Sequence, residues 1–371
     1  MLYLPTPLLT KEGRQDGKGR GNLMRIRGLW RLKRAGRWVR NRFVHKGVIL
    51  VYHSVVECPS DPPLLRVTPR HFAEHLEVLT RSYQPMRLNQ LSEALHSGSI
   101  PPGAVVLTFD DGYADNLHHA KPLLERFDVP ATVFVTAGCL GRMREFCWDE
   151  LDRLLLQPGI LPATLRLNIN GSNYQWELSE AVQYSEEDVG RFRGWSVLEK
   201  NDPGPRQRLY RALWKLLRPL REGDQRQVLD DLLAWSGAES IVRPTHRALS
   251  PAELLHLAEG ELIEVGAHTV THPILSQLSA TEQRAEIQRG KTHLEEILGR
   301  PVTSFAYPFG GRSEYTAETV AIVRETGFSV ACSTVEDVVW RGSNGFQLPR
   351  ISVQDWDGEV FSRWLWGWLR G

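Results

Sequence analysis

The chain reads as an α/β protein built on a parallel sheet and broken by one long insertion, and three observations carry that reading. Short β-branched runs alternate with amphipathic helical stretches. The run at 47–53 ends in His53, and those at 104–107 and 262–265 are followed within three residues by Asp110 and His268, at the strand ends where α/β folds place their chemistry. The alternation stops at about Arg142 and resumes after Arg247. Periodicity alone leaves the sheet open or closed.

Size and charge are compatible with this reading. With 371 residues, 42% hydrophobic and 24% charged, the chain suffices for one barrel-sized domain plus an insertion, or for two domains. A net charge of +1 gives no global pull toward nucleic acid, which is not expected as a partner. Cys58, Cys139, Cys147 and Cys332 form no Cys-x-x-Cys pair and fit no zinc-finger spacing, which favours a reducing compartment. No stretch is long and apolar enough to span a bilayer. Residues 1–9 lack the basic region and cleavage site of a secretory signal. A cytoplasmic location is therefore expected.

In chain order, residues 1–23 are expected to be a disordered tail, since 11–22 is Gly-rich and charged. Residues 24–46 read as a basic amphipathic helix. Arg25, Arg27, Arg31, Lys33, Arg34, Arg37, Arg40 and Arg42 alternate there with Ile26, Leu29, Leu32, Val39 and Phe43, and Trp30 and Trp38 flank the apolar stripe. Such a helix suits the inner face of a membrane. A helix packed on the barrel with a solvated basic face fits as well, and Gly28 and Gly36 weaken either one.

The sheet units fall at 47–141 and 248–355. The strand at 47–53 precedes a helix at 69–83, with Thr68 as N-cap, Pro69 at its first position and Phe72, Leu76 and Leu79 on one face. A strand at 104–107, a helix at 115–127 and a strand at 131–135 follow. Residues 142–247 form the insertion, expected to cap one face. In it, arms at 164–169 and 174–178 flank Asn170-Gly171, a hairpin signal, and helices cover 207–217 and 225–235. Helices at 251–258, 280–298 and 317–326 then alternate with strands at 262–265, 303–307, 328–333 and 348–353. Residues 356–371 form a tail rich in tryptophan. Trp364, Trp366 and Trp368 with nearby arginines suit either a plug under the sheet or an interfacial anchor.

Two motifs carry chemistry. Asp110-Asp111-Gly112 ends the second strand, and adjacent carboxylates repel unless a proton or cation lies between them. One acid bound to a metal and one free as a base would satisfy both; alone, the tripeptide also fits a turn. His268 and His272 stand four apart after a later strand and can reach one ion if the segment turns helically. Two imidazoles and a carboxylate suit a divalent ion such as zinc, with positions left open for water and substrate.

Thr108-Phe109-Asp110-Asp111-Gly112 together with His268-Thr-Val-Thr-His272 resembles the NodB-homology polysaccharide deacetylases, carbohydrate esterase family four, in an order and context running from Val48 to Val353. The resemblance implies a distorted (β/α)7-type barrel and metal-dependent hydrolysis of a sugar N-acetyl group. The metal is expected to be zinc, with nickel, cobalt and manganese as alternatives. It implies Asp111, His268 and His272 as metal ligands and Asp110 as general base. Tyr307-Pro308-Phe309-Gly310 matches a third motif, which implies the Phe309 amide as an oxyanion donor. Tyr113, Tyr307, Pro308 and Trp148 are expected to face substrate; Trp148, opening the insertion, suits a pyranose face or the core of the cap.

The sequence departs from the family at three points, one being that the later Asp-containing motif that partners the family's arginine is not evident. Ala306 stands where an arginine usually precedes the proline by two residues, and the Leu-x-His motif that supplies the acid is missing from the C-terminal half. Val51-Tyr52-His53 instead offers His53 as general acid, the permuted arrangement of the branch resembling poly-N-acetylglucosamine deacetylases. Arg350 is the candidate for the missing arginine near Asp110, although a surface ion pair would also account for it. The expected partner is an N-acetylated glycan, with a lipid- or nucleotide-linked intermediate of surface polysaccharide assembly as the specific case. Competing readings are an amidase or deformylase on another N-acyl group, and an inactive glycan-binding module.

Overall fold

The computed structural model describes residues 46–370. The tail expected at 1–23 and the basic helix expected at 24–46 lie outside these residues except for Lys46. Seven strands form the core: β1 (Gly47–Tyr52), β2 (Ala104–Phe109), β3 (Ala131–Val135), β4 (Ile263–Ala267), β5 (Ser304–Ala306), β6 (Val330–Cys332) and β7 (Ile351–Ser352). They pair in parallel in the order β6-β5-β4-β3-β2-β1-β7, with the short segment Gln84–Pro85 beside β2. Leu348 bridges in parallel to Cys332 at the end of β6, just before the chain enters β7 beside β1. That rung brings the two ends of the sheet together, and the sheet curls into the expected distorted barrel.

Parity along the strands explains what lies inside. Side chains alternate across a strand. Val48, Leu50, Val105 and Leu107 pack outward beneath the helices, whereas Ile49, Val106, Phe134, Ala306, Val330 and Cys332 share an inner cluster. On β2 the inner set continues as Val106, Thr108 and Asp110, so the first acid of the motif is inward by register. The helix Pro69–Ser82 covers the outside, started by Thr68, whose hydroxyl accepts from His71 N. Its Phe72, Leu76 and Leu79 are fully buried, each worth about 1.5–3 kcal/mol.

The insertion has its own apolar core of Leu151, Leu165, Leu167, Leu209, Leu213 and Leu232 among others. Its hairpin pairs Thr164–Ile169 with Ser172–Glu177 around Asn170 (φ 49°) and Gly171 (φ 80°). A two-residue turn with both φ positive is the I′ type, which starts the second arm at Ser172, two residues earlier than expected. Helices Cys147–Leu155, Glu186–Phe192, Pro205–Leu217 and Glu222–Ser236 also belong to the insertion.

The Trp-rich C-terminus is not a tail. It forms the helix Gly358–Arg370, packed against the helix Pro69–Ser82 and β1. Phe361 and Leu365 are fully buried, and Phe361 stacks on His75 with ring centroids 4.0 Å apart. Trp366 alone of its tryptophans is 55% exposed. Among the described residues, no helix is long and apolar enough to cross a membrane.

Candidate active site

Asp111 leaves β2 with φ 73° and is followed by Gly112 at φ 78°. Its Oδ1 lies 3.4 Å from His272 Nε2 and 3.7 Å from His268 Nε2. The donor atoms of the three side chains all fall within 4.8 Å of one another. His268 Nδ1 is 2.7 Å from the Ala306 carbonyl and donates to it, which turns the Nε2 lone pair toward Asp111. Burial holds both imidazoles below their ordinary pKa, hence neutral, as metal ligands must be. Burial, with Asp110 adding to it, pushes the Asp111 carboxyl up. Asp111 Oδ1 is buried with no hydrogen-bond partner among the described residues. A partnerless carboxylate oxygen facing two imidazole lone pairs fits a divalent cation such as zinc.

The histidines do not reach this point by a helical turn, as their spacing suggested. Thr269 (φ 65°) and His272 (φ 60°) bend the segment into a loop. His272 N donates to Thr269 Oγ1 at 3.1 Å, and the Glu286 carboxylate accepts from Val270 N at 3.0 Å and Thr271 N at 2.9 Å. Glu286 sits on the helix Ala280–Leu298, which presses Gly290 against the same loop. A Cβ at 290 would come 2.9 Å from the Thr269 backbone. Gly290→Ala is expected to cost about 1–3 kcal/mol from overpacking and to weaken metal binding. Denaturant unfolding with a metal titration checks both, and unchanged affinity would show that the loop does not depend on this contact.

Asp110 faces a different partner. The Arg350 guanidinium grips it with two bonds, Nη1 to Oδ1 and Nη2 to Oδ2, each 2.7 Å. Arg350 is fully buried and also donates to the Ser333 carbonyl and Thr108 Oγ1. Burial alone would raise the Asp110 pKa, but Arg350, then His268, hold it well below the usual carboxylate range. Asp110 is therefore ionised near neutral pH. His53, half-buried after β1, opens on the same pocket. Asn116 Nδ2 donates to its carbonyl at 2.8 Å, while Asp115 accepts from Ser54 Oγ and Val55 N just beyond. Burial pushes the His53 imidazole down to about 3 against the pull of Asp110, so His53 rests neutral.

The pocket encloses about 490 Å³ open to solvent, between Asp110, Asp111, His53 and the two ligand histidines on one side and Trp148, Trp214, Phe309 and Leu65 on the other. Phe309 has φ 59°, and its amide has no protein acceptor among the described residues. Trp148 forms one wall, its ring 5.5 Å from that of His272.

Three substrate-facing expectations are corrected. Tyr113 is fully buried, its hydroxyl donating to Asp149 at 2.7 Å and accepting from Trp148 Nε1 at 2.8 Å, so it ties the barrel to the insertion. Tyr307 is also fully buried, stacked on Tyr315 with its hydroxyl donating to the Phe346 carbonyl. Pro308 is buried, and its carbonyl accepts from Gly310 N in the turn that sets Phe309. Sequence reasoning missed Trp214, which an apolar helical stripe disguises as core. It also missed Thr334, whose hydroxyl donates to the Phe309 carbonyl.

The curled parallel barrel, with an Asp-His-His cluster and a buried Asp–Arg pair at its carboxyl rim, is the fold that the NodB-homology resemblance led one to expect. In sequence, the polysaccharide deacetylase model matches residues 97–160 and 235–331, on either side of most of the insertion. The Bacillus subtilis (strain 168) protein YxkH is 30% identical over 148 residues, 38% of this chain and 51% of that protein. The poly-beta-1,6-N-acetyl-D-glucosamine N-deacetylase of Escherichia coli (strain K12) is 34% identical over 90 residues, 24% of this chain and 13% of that protein. The chain thus spans about half the length of the first relative and much less of the second. The structure of IcaB from Ammonifex degensii aligns with a TM-score of 0.53 at 19% identity, over 88% of this chain and 98% of that one. At that identity the likeness is one of fold. The expected resemblance to the polysaccharide deacetylases is borne out.

Proposed function

We propose that the protein is a hydrolase that removes an N-acetyl group from an amino sugar of a glycan and releases acetate. The observation that carries this is the convergence of the Asp111-His268-His272 cluster and the Arg350-gripped Asp110 on one aromatic-walled pocket. Those three ligands would hold a divalent ion such as zinc, which would supply Lewis acidity toward the acetyl carbonyl and toward water. Asp110, kept ionised and oriented by Arg350, accepts a proton from the attacking water. The Phe309 amide, with no protein acceptor among the described residues, donates to the oxygen that gains charge. His53 delivers a proton to the leaving nitrogen. Because it rests neutral, the proton it delivers is the one that Asp110 has drawn from water and passes on to His53, which returns Asp110 to its carboxylate.

Acetate release from β-1,4- and β-1,6-linked N-acetylglucosamine oligomers, with zinc added, tests the reading. Metal bound without acetate release would favour an amidase on another acyl group, and neither would favour a binding module. His53→Ala is expected to lower turnover by about 10²–10⁴-fold with metal content unchanged; full activity would remove His53 as the acid. For the finer substrate, a lipid-linked glycan handled at the inner membrane face is supported by exposed Trp366 and by the basic residues between 24 and 43. Fractionation finding the protein purely soluble, or exported, would count against that placement.

A further inference from the structure

Arg218 ends the insertion helix Pro205–Leu217 and reaches across to the barrel. Its guanidinium carbon lies 4.4 Å from the Phe309 ring centroid and 5.6 Å from that of Trp214, four residues back on its own chain. Nη2 pairs with Glu314 Oε1 at 2.9 Å, just beyond the Tyr307–Gly310 turn. Phe309 is thus gripped by three groups. Arg218 covers its ring, the His272 ring meets it edge-on at 4.7 Å, and Thr334 takes its carbonyl. The grip matters because φ 59° is a conformation that residues other than glycine leave when unsupported. Gly310, at φ 65°, follows against Thr334 N, where a Cβ would stand at 2.7 Å, so this turn is fixed from the C-terminal side as well.

We propose that Arg218 is a positioning residue of the active site. From the insertion, it holds Phe309 in the left-handed conformation that leaves the Phe309 amide free of protein acceptors among the described residues, while Trp214, on the same helix, walls the pocket. The insertion is thereby a working part of the site, because one of its side chains sets the geometry of a barrel loop. This rests on the reading of that amide as the oxyanion donor. A cation over an aromatic face provides the attraction, and Glu314 fixes where the cation sits.

The test compares Arg218→Ala, Arg218→Lys and Arg218→Met with wild type in kcat, KM, zinc affinity and the crystal structure around Phe309. Arg218→Ala is expected to lower kcat by about ten- to a hundred-fold, as misplacement of a catalytic group does, with KM and zinc affinity near wild type. Lys, which keeps a cation for the ring and for Glu314, should recover part of kcat; Met, which keeps only bulk, should not. A folded Arg218→Ala variant with wild-type kcat overturns the proposal. So does a rise in KM with kcat retained, which would make Arg218 a substrate contact. If wild type releases no acetate from any glycan, the deacetylase reading falls separately. The Arg218→Ala crystal structure then decides: Phe309 leaving the left-handed region supports the positioning role, and its staying there overturns it.

Discussion

Arg350→Met is expected to destabilise the protein by about 3–5 kcal/mol, the usual cost of removing one partner from a buried ion pair, and to abolish turnover. Both effects have one cause. Arg350 is wholly buried, and two of its nitrogens serve Asp110, so methionine leaves a buried carboxylate beside Asp111 without its guanidinium partner. Without Arg350, burial raises the Asp110 pKa unopposed by the group that now holds it down, and a protonated Asp110 cannot take a proton from water. Denaturant unfolding and acetate release measure the two consequences. The double variant Asp110→Asn/Arg350→Met separates them: removal of both charges should recover much of the stability and none of the turnover. If Arg350→Met alone is as stable as wild type, the ion pair does not sustain the site.

Asp111→Asn is expected to lower metal affinity by well over the roughly 100-fold that loss of a mere outer partner costs, and with it activity. Its effect on the metal-free protein runs the other way. A buried carboxylate with a partnerless oxygen, crowded by Asp110, is unfavourable until a cation arrives, and an amide at the same place carries no charge to compensate. Zinc at about 100 times its dissociation constant should therefore stabilise wild type by about 2.7 kcal/mol and leave Asp111→Asn unmoved. Thermal unfolding with zinc and with a chelator reads this directly. Equal stabilisation of both proteins would place the metal elsewhere.

What could be read from the sequence was whatever depends on neighbours along the chain. Strand ends announce themselves through β-branched runs that stop, and Asp110, Asp111, His268 and His272 each follow such a stop within a few residues. Pocket-facing residues were harder, because direction depends on register and backbone sign. Tyr113 sits two residues past Asp111, yet the left-handed pair Asp111-Gly112 intervenes, and the ring ends up beneath the insertion. His268 and His272 have helical spacing, but positive φ at Thr269 and His272 makes a loop of it. Trp214 was invisible because a tryptophan beside Leu213 and Leu217 looks like core; Arg218 four residues on was the only hint that this face meets something polar. Arg350 was nameable only as a candidate, since nothing local ties it to an acid 240 positions earlier.

That separation bears on how the protein is made. A chain leaves the ribosome from its N-terminus, so the strand bearing Asp110 and Asp111 emerges long before the strand that delivers Arg350. Until β7 arrives, the sheet lacks both its closing rung at Leu348 and the cation that lets one of two adjacent acids remain charged indoors. Contacts so distant in sequence form late and slowly. A nascent chain halted before Arg350 therefore lacks the partner of Asp110, and completion of the acid pair's surroundings coincides with closure of the barrel.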